Sequence, residues 1–216
     1  MTYSIAGRCA RTGMLGMAIA TSSIAVGGRC VFARAKVGAV LTQHRTDPRL
    51  GPLGLELLAA GSTAAETVAA LVASAPHHGW RQLAVVDAAG RTAHFSGAKI
   101  VSTHGGISGR DCVAIGNILR SDVVPAVMAA AFEAAPATPI AERLLAALLA
   151  GHAAGGEVKA VASAALLVVH EERFPYVDLR VDRDAEPLAA LRSLWEDYAP
   201  LAESYVVRVL DPDRAT

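Results

Sequence analysis

Apolar and polar positions alternate from the start of the chain. Tyr3, Ile5, Gly7 and Cys9 fall on one side and Ser4, Ala6 and Arg8 on the other, the period of a half-buried strand. Arg11-Thr12-Gly13 supplies a turn and residues 14–20 return as a second strand of small side chains, so the chain opens with a hairpin. Gly27-Gly28 breaks the next segment. Residues 30–33 and 37–43 follow as two short apolar strands, separated by Arg34-Ala35-Lys36. The run Asp47-Pro48-Arg49-Leu50-Gly51-Pro52 is dense in turn residues and ends this sheet-forming region.

The period then changes. Residues 53–60, closed by Gly61, read as a short helix with glycine at its C-terminal cap. Ser62 or Thr63 followed by Glu66 has the form of a capping box, and Val68, Leu71 and Val72 continue at helical spacing. Residues 82–86 and 92–96, joined by Asp87-Ala88-Ala89-Gly90, make a hairpin. The glycine-spaced segment 103–109 leads to a strand at 112–115 and then to Gly116-Asn117. A helical stripe runs from Asp122 through Val124 and Met128, and a second starts at Pro139 with Ile140, Leu144, Leu145 and Leu148. The apolar run 160–169 and the alternating stretch 176–181 read as strands, and a helical tail covers about 187–210.

Helices therefore come in pairs between blocks of strands, without the strict alternation a parallel sheet needs. The expected architecture is α+β, a four-layer αββα sandwich of two mostly antiparallel sheets. One domain over residues 1–216 is expected.

Composition narrows the partners. Twenty basic and twenty acidic side chains cancel, and no basic run is interleaved with aromatics, so nucleic acid and anionic membrane are not expected partners. The longest apolar run is too short to span a bilayer and the N-terminus lacks the pattern of a secretion signal, so a cytoplasmic protein is expected. With 53% hydrophobic against 19% charged residues, and a tail bearing Trp195, a homodimer is expected. Cys9, Cys30 and Cys112 lack metal-type spacing and the histidines form no ligand pattern; no metal and no cofactor are expected. Neither glycine-rich stretch matches a phosphate-cradling fingerprint.

Candidate chemistry begins at Thr2. If Met1 is removed, as a small second residue permits, the freed α-amine can take the proton of the Thr2 hydroxyl and make it a nucleophile. The plain alternative is a strand start with its hydroxyl in solvent. Gln43, His44 and Thr46 end a strand before a proline turn, where pocket-lining groups are common, and His44 has the chemistry of a general acid. Asn117 either donates its amide to a developing oxyanion or serves a turn. Ser163 reads as a packing residue at the head of a buried strand.

The chain resembles the family called DUF1028, bacterial and archaeal proteins assigned to the N-terminal nucleophile hydrolase fold. The resemblance rests on Thr2-Tyr3-Ser4-Ile5, Ala25-Val26-Gly27, Ala33-Arg34, Val37-Gly38-Ala39-Val40 with Thr42-Gln43, the glycine-bounded segment 51–61, Gln82-Leu83-Ala84-Val85-Val86-Asp87, Gly116-Asn117 and the strand 163–169. It implies the αββα fold and gives Thr2 the nucleophile's place. It also implies a basic residue near that hydroxyl. Arg34 stands where one is expected, as an electrostatic partner only, because a guanidinium does not accept a proton. Two departures accompany this: arginine stands in place of lysine, unless Lys36 takes the part, and no aspartate stands near Thr21-Ser22-Ser23, whose hydroxyls at Thr21 or Ser22 would bond the amine instead. The function implied is hydrolysis of a small amide. A non-catalytic small-molecule-binding or assembly protein on the same scaffold is the alternative.

Overall fold

The structure is a computed structural model and describes residues 1–214. The strands β1 (Thr2–Arg8) and β2 (Leu15–Thr21) form the opening hairpin, followed by a one-turn helix α1 (Gly27–Cys30), β3 (Val31–Arg34) and β4 (Gly38–Gln43). Helices α2 (Leu50–Ala59) and α3 (Ala64–Ser74) precede the strands β5 (Gln82–Asp87), β6 (Thr92–Ser96), β7 (His104–Gly109) and β8 (Cys112–Asn117). Helices α4 (Val124–Glu133) and α5 (Ile140–Ala153), strands β9 (Ser163–Val169) and β10 (Val177–Val181), and helices α6 (Pro187–Tyr198) and α7 (Ala202–Leu210) complete the chain.

All strand pairs within the two sheets are antiparallel. A six-stranded sheet has the order β10-β9-β2-β1-β8-β7 and a four-stranded sheet the order β3-β4-β5-β6. Three apolar clusters separate the layers. Leu50, Leu55, Leu58, Val68 and Leu71 of α2 and α3 bury against Val40, Leu83 and Val85 of the smaller sheet. Met128, Phe132, Leu144, Leu148 and Leu191 of α4, α5 and α6 bury against Tyr3, Ile5, Leu166 and Val168 of the larger one. Between the sheets lie Leu15, Met17, Ile19, Leu41, Val86, Val113, Ile115 and Leu167. The α+β architecture of two antiparallel sheets with helices outside each is thus the one the block order predicts.

Local chemistry explains where boundaries fall. Thr63 and Glu66 close the capping box, with Glu66 N–H donating to Thr63 Oγ1 at 3.2 Å and Thr63 N–H to Glu66 Oε2 at 2.7 Å. Helix α2 begins at Leu50, ahead of the predicted residue 53. Pro52 sits in its first turn, where the missing N–H has no intrahelical partner to lose. Gly27 and Gly28, read as a break, instead form the single turn of α1. Gly7 has no room for a side chain: a Cβ there would stand 2.5 Å from Phe132 Cζ, so its absence lets α4 seat on β1.

The tail docks on its own chain. Trp195 is 5% exposed, and its Nε1–H donates to Glu142 Oε1 of α5 at 2.7 Å. The expectation of a homodimer loses this support, because the side chain that carried it is spent inside the protomer.

Candidate functional site

On a strand every second residue shares a face. Following the inward faces of the two sheets toward one end, each apolar row gives way to a polar residue. In β1, Ala6 is followed by Ser4 and Thr2; in β2, Ile19 by Thr21; in β4, Leu41 by Gln43; in β5, Ala84 by Gln82; in β8, Ile115 by Asn117; in β9, Ala165 by Ser163. All seven polar residues are buried. One end of the space between the sheets is therefore built from hydroxyls and carboxamides.

The carboxamides form a connected network. Ser4 donates to Gln43 Oε1 at 2.8 Å, and Gln82 Oε1 accepts from Gln43 Nε2 at 2.7 Å and from Asn117 Nδ2 at 3.0 Å. Gln82 Nε2 donates to the carbonyl of Gly116 at 2.9 Å, to that of Gly105 at 3.2 Å and to Ser96 Oγ at 3.0 Å. Gln82 thus ties the two sheets together and fixes which way the other amides point. Its removal strands buried donors on Gln43 and Asn117 and a buried carbonyl, each worth about 1–3 kcal/mol. Gln82→Ala is expected to lose about 4 kcal/mol of stability in urea unfolding; a loss under about 1 kcal/mol would show that the network is not a structural clamp.

Thr2 lies at the head of this polar row, opposite Asn117 in the β1–β8 register. Its Oγ1 is 3.3 Å from Thr21 Oγ1, and both hydroxyls donate to the carbonyl of Met1. Met1 is half-buried, with its sulfur 3.7 Å from Ser22 Oγ. Burial lowers the pKa of its amine, while the nearby Glu157 carboxylate opposes that shift. Asn117 commits Nδ2 to Gln82 and leaves Oδ1 buried without a partner.

Glu157 is the unexpected member. It is 3% exposed, and neither carboxylate oxygen has a hydrogen-bond partner. The glycines before it, Gly155 and Gly156, take φ of 121° and 54°. Its backbone is held by a bridge to Leu119 and by Arg120 Nε donating to its carbonyl at 3.1 Å. Burial pushes its carboxyl up to about 7, against the weaker pull of Ser22, the terminal amine and Lys159. Ser22 acts on it without closing a hydrogen bond of ordinary geometry, so the carboxylate remains an orphan.

Residues 2–191 match the profile described as "Family of unknown function (DUF1028)". The chain belongs to DUF1028. The crystal structure of protein SPO2555 from Silicibacter pomeroyi, of the same family, is 33% identical, with 91% of this chain and 88% of that chain covered and a TM-score of 0.84. The likeness to Anbu (ancestral beta-subunit) from Yersinia bercovieri is loose, at 11% identity, coverage of 90% and 93%, and a TM-score of 0.39. Comparison with curated proteins gave no match.

In this DUF1028 chain the residues predicted from sequence divide sharply. Thr2, Ser22, Gln43 and Asn117 gather at the polar end, whereas Arg34 does not. Arg34 pairs with Gly38 at the far end of β3 and β4, is exposed, and lines a cleft with Glu171, Glu172 and Arg173. Those acidic residues follow β9, whose other end, Ser163, pairs with Thr21. Arg34 and Thr2 are thus at opposite ends of the sandwich, which corrects the placement of a cationic partner there. The expectation fails because counting along the chain does not reveal which end of a short strand a residue occupies. Just before β3, at the end that meets the site, stands Cys30 of α1, buried, with Sγ 3.5 Å from Thr46 Oγ1.

His44 flanks the site. Its Nδ1 lies 2.8 Å from the carbonyl of Trp80, which fixes Nδ1–H as donor and leaves Nε2 an acceptor, and its ring stacks on Trp80. Burial lowers its pKa, so the ring favours the neutral form and is a poor general acid near neutral pH. Left-handed backbone recurs around this end: φ is 54° at Ala25, 53° at His44, 47° at Arg45 and 54° at Ile118. Such conformations are costly for residues with a Cβ and collect at functional sites. Ser163 acts in support, donating to the carbonyl of Ser23 at 2.7 Å and accepting from Val26 N–H at 3.2 Å, which pins the loop after β2.

Sequence reasoning expected the Thr21 or Ser22 hydroxyl beside the amine of Thr2, whereas Thr21 Oγ1 lies against the Thr2 hydroxyl; it missed Gln82 as the hub and Glu157 altogether. Thr21 and Gln82 carry a readable signal, a polar residue two places from an apolar row. Glu157 carries only the glycine pair before it.

Proposed function

We propose that this protein hydrolyses a small amide through Thr2, as an N-terminal nucleophile freed by removal of Met1. The observation that carries the reading is the buried carboxylate of Glu157, which acts on the Met1 amine one residue before Thr2 and lies at the same end as the buried Thr2 hydroxyl. It supplies the negative charge that the sequence lacked near Thr21-Ser22-Ser23.

In this reading Thr2 Oγ attacks the substrate carbonyl and its proton passes to the α-amine. The amine hands that proton to the leaving nitrogen as the C–N bond breaks, and an ester remains on Thr2. Water, deprotonated by the same amine, attacks the ester carbonyl; the Thr2–acyl bond breaks, and the proton returns to Oγ. Glu157 and the unpartnered Oδ1 of Asn117 accept from the amine and orient its lone pair toward Oγ. The second N–H of Asn117 Nδ2 is the donor left for an oxyanion. Arg34 has no part in this scheme.

The test is mass spectrometry of the purified chain before and after an activated acyl ester. The expected results are a mass lacking Met1 and an acyl adduct mapped to the N-terminal threonine. Retained Met1, or acylation spread over lysines with none on Thr2, would sink the reading and favour a binding protein.

A further inference from the structure

The end of the sandwich opposite Thr2 holds a second concentration of charge that this reaction does not use. β1 ends there at Arg8, after about 20 Å of extended chain. Arg8, Arg11, Arg110 and Arg143 line a cavity of about 240 Å³ together with Asp111 and Glu133.

Some of this charge is internally paired. Arg8 Nη1 meets Asp111 Oδ1 at 3.0 Å, and Glu133 Oε1 accepts from the backbone N–H of Arg110 at 2.6 Å. Arg8 Nε is nevertheless buried without a partner. Arg143 decides the matter. It is 6% exposed, its guanidinium lies 3.8 Å over the Phe132 ring, and its Nε donates to the Phe132 carbonyl at 3.0 Å. Among the described residues no carboxylate forms an ion pair with it.

Asp111 and Glu133 act on Arg143 only from a distance, without a salt bridge; a buried guanidinium left so is costly, and an anion that takes its remaining donors offsets that cost. Four arginines against two carboxylates leave 4 − 2 = 2 positive charges around the cavity. Low-dielectric walls concentrate that field on whatever enters. A guanidinium fork fits the paired oxygens of a phosphate or carboxylate better than a monatomic ion.

We propose that this cavity binds a small compound carrying two negative charges on oxyanion groups. Arg143 and Arg8 hold it from the buried side, and the exposed Arg11 and Arg110 close over it. Phosphate and dicarboxylate share this chemistry, and the experiment separates them.

The full-length chain is titrated calorimetrically with sodium phosphate and with disodium succinate, each against sodium chloride at matched ionic strength. Saturable binding with a Kd below about 1 mM is expected for at least one of them. The ligand that saturates names the source. Arg11→Gln and Arg110→Gln, both exposed and so compatible with folding, should each weaken that binding about tenfold, and Arg34→Gln should leave it unchanged. If neither ligand saturates, or if Arg11→Gln and Arg110→Gln bind as the unaltered protein does, the proposal is wrong.

Discussion

Thr2→Ala is expected to lower the hydrolysis of small amides by about a thousandfold or more, the scale seen when a nucleophile is deleted. Alanine is as small as threonine for the purpose of removing Met1, so the variant keeps the free α-amine and loses only Oγ. That separates the nucleophile from the base. Thr2→Ser, which retains the hydroxyl, should keep most of the rate. The fold should survive, because the hydroxyl of Thr2 bonds only to Thr21 and the Met1 carbonyl and stands outside the amide network. Amine release from a panel of small amides, with thermal unfolding as the control, gives the readout. Equal rates in Thr2→Ala and the unaltered chain would remove Thr2 from the chemistry.

Glu157→Gln should change how stability depends on pH. In the fold the carboxyl titrates at about 7 and in the unfolded chain near its ordinary 4.5, so the folded state binds the proton more tightly. The resulting stabilisation is fully present below pH 4.5 and is lost as pH rises through 7. The gap corresponds to about 3 kcal/mol, or roughly 8 °C in Tm for a domain of this size. The unaltered protein should therefore lose that much between pH 4.5 and 8 relative to Glu157→Gln, and the variant should be the more stable of the two at pH 8. Turnover should respond with the opposite sign. Below pH 7 the protonated carboxyl no longer offers the amine a negative charge, so activity falls with acid in the unaltered chain, while the variant is slower and lacks that limb. Parallel stability curves would mean that Glu157 reaches water and is not the buried group described above.

Much of the framework was legible before folding. The alternation of Tyr3, Ile5 and Gly7, the Thr63–Glu66 cap and the leucine stripe of α5 are local patterns, and each became the predicted element. The boundary errors are local too: Pro52, counted among the turn residues that end the first sheet-forming region, lies in the first turn of α2. Arg34 failed for a different reason. A strand was expected over 30–33 with Arg34 just after it, but Arg34 ends β3 opposite Gly38, at the end away from Thr2, while Cys30, the last residue of α1, lies toward the chain terminus.

Sequence alone determined the layers and the residue at the head of the first strand, because both depend on periodicity and on side chains close together along the chain. The polar end between the sheets needed the tertiary structure, since Ser4, Gln43, Gln82 and Asn117 meet only when two sheets pack face to face. Glu157 and the Arg143 cavity lay still further from reach. A charged residue in a sequence is read as solvated by default, and only packing reveals a carboxylate or guanidinium that has been cut off from water and held outside any salt bridge.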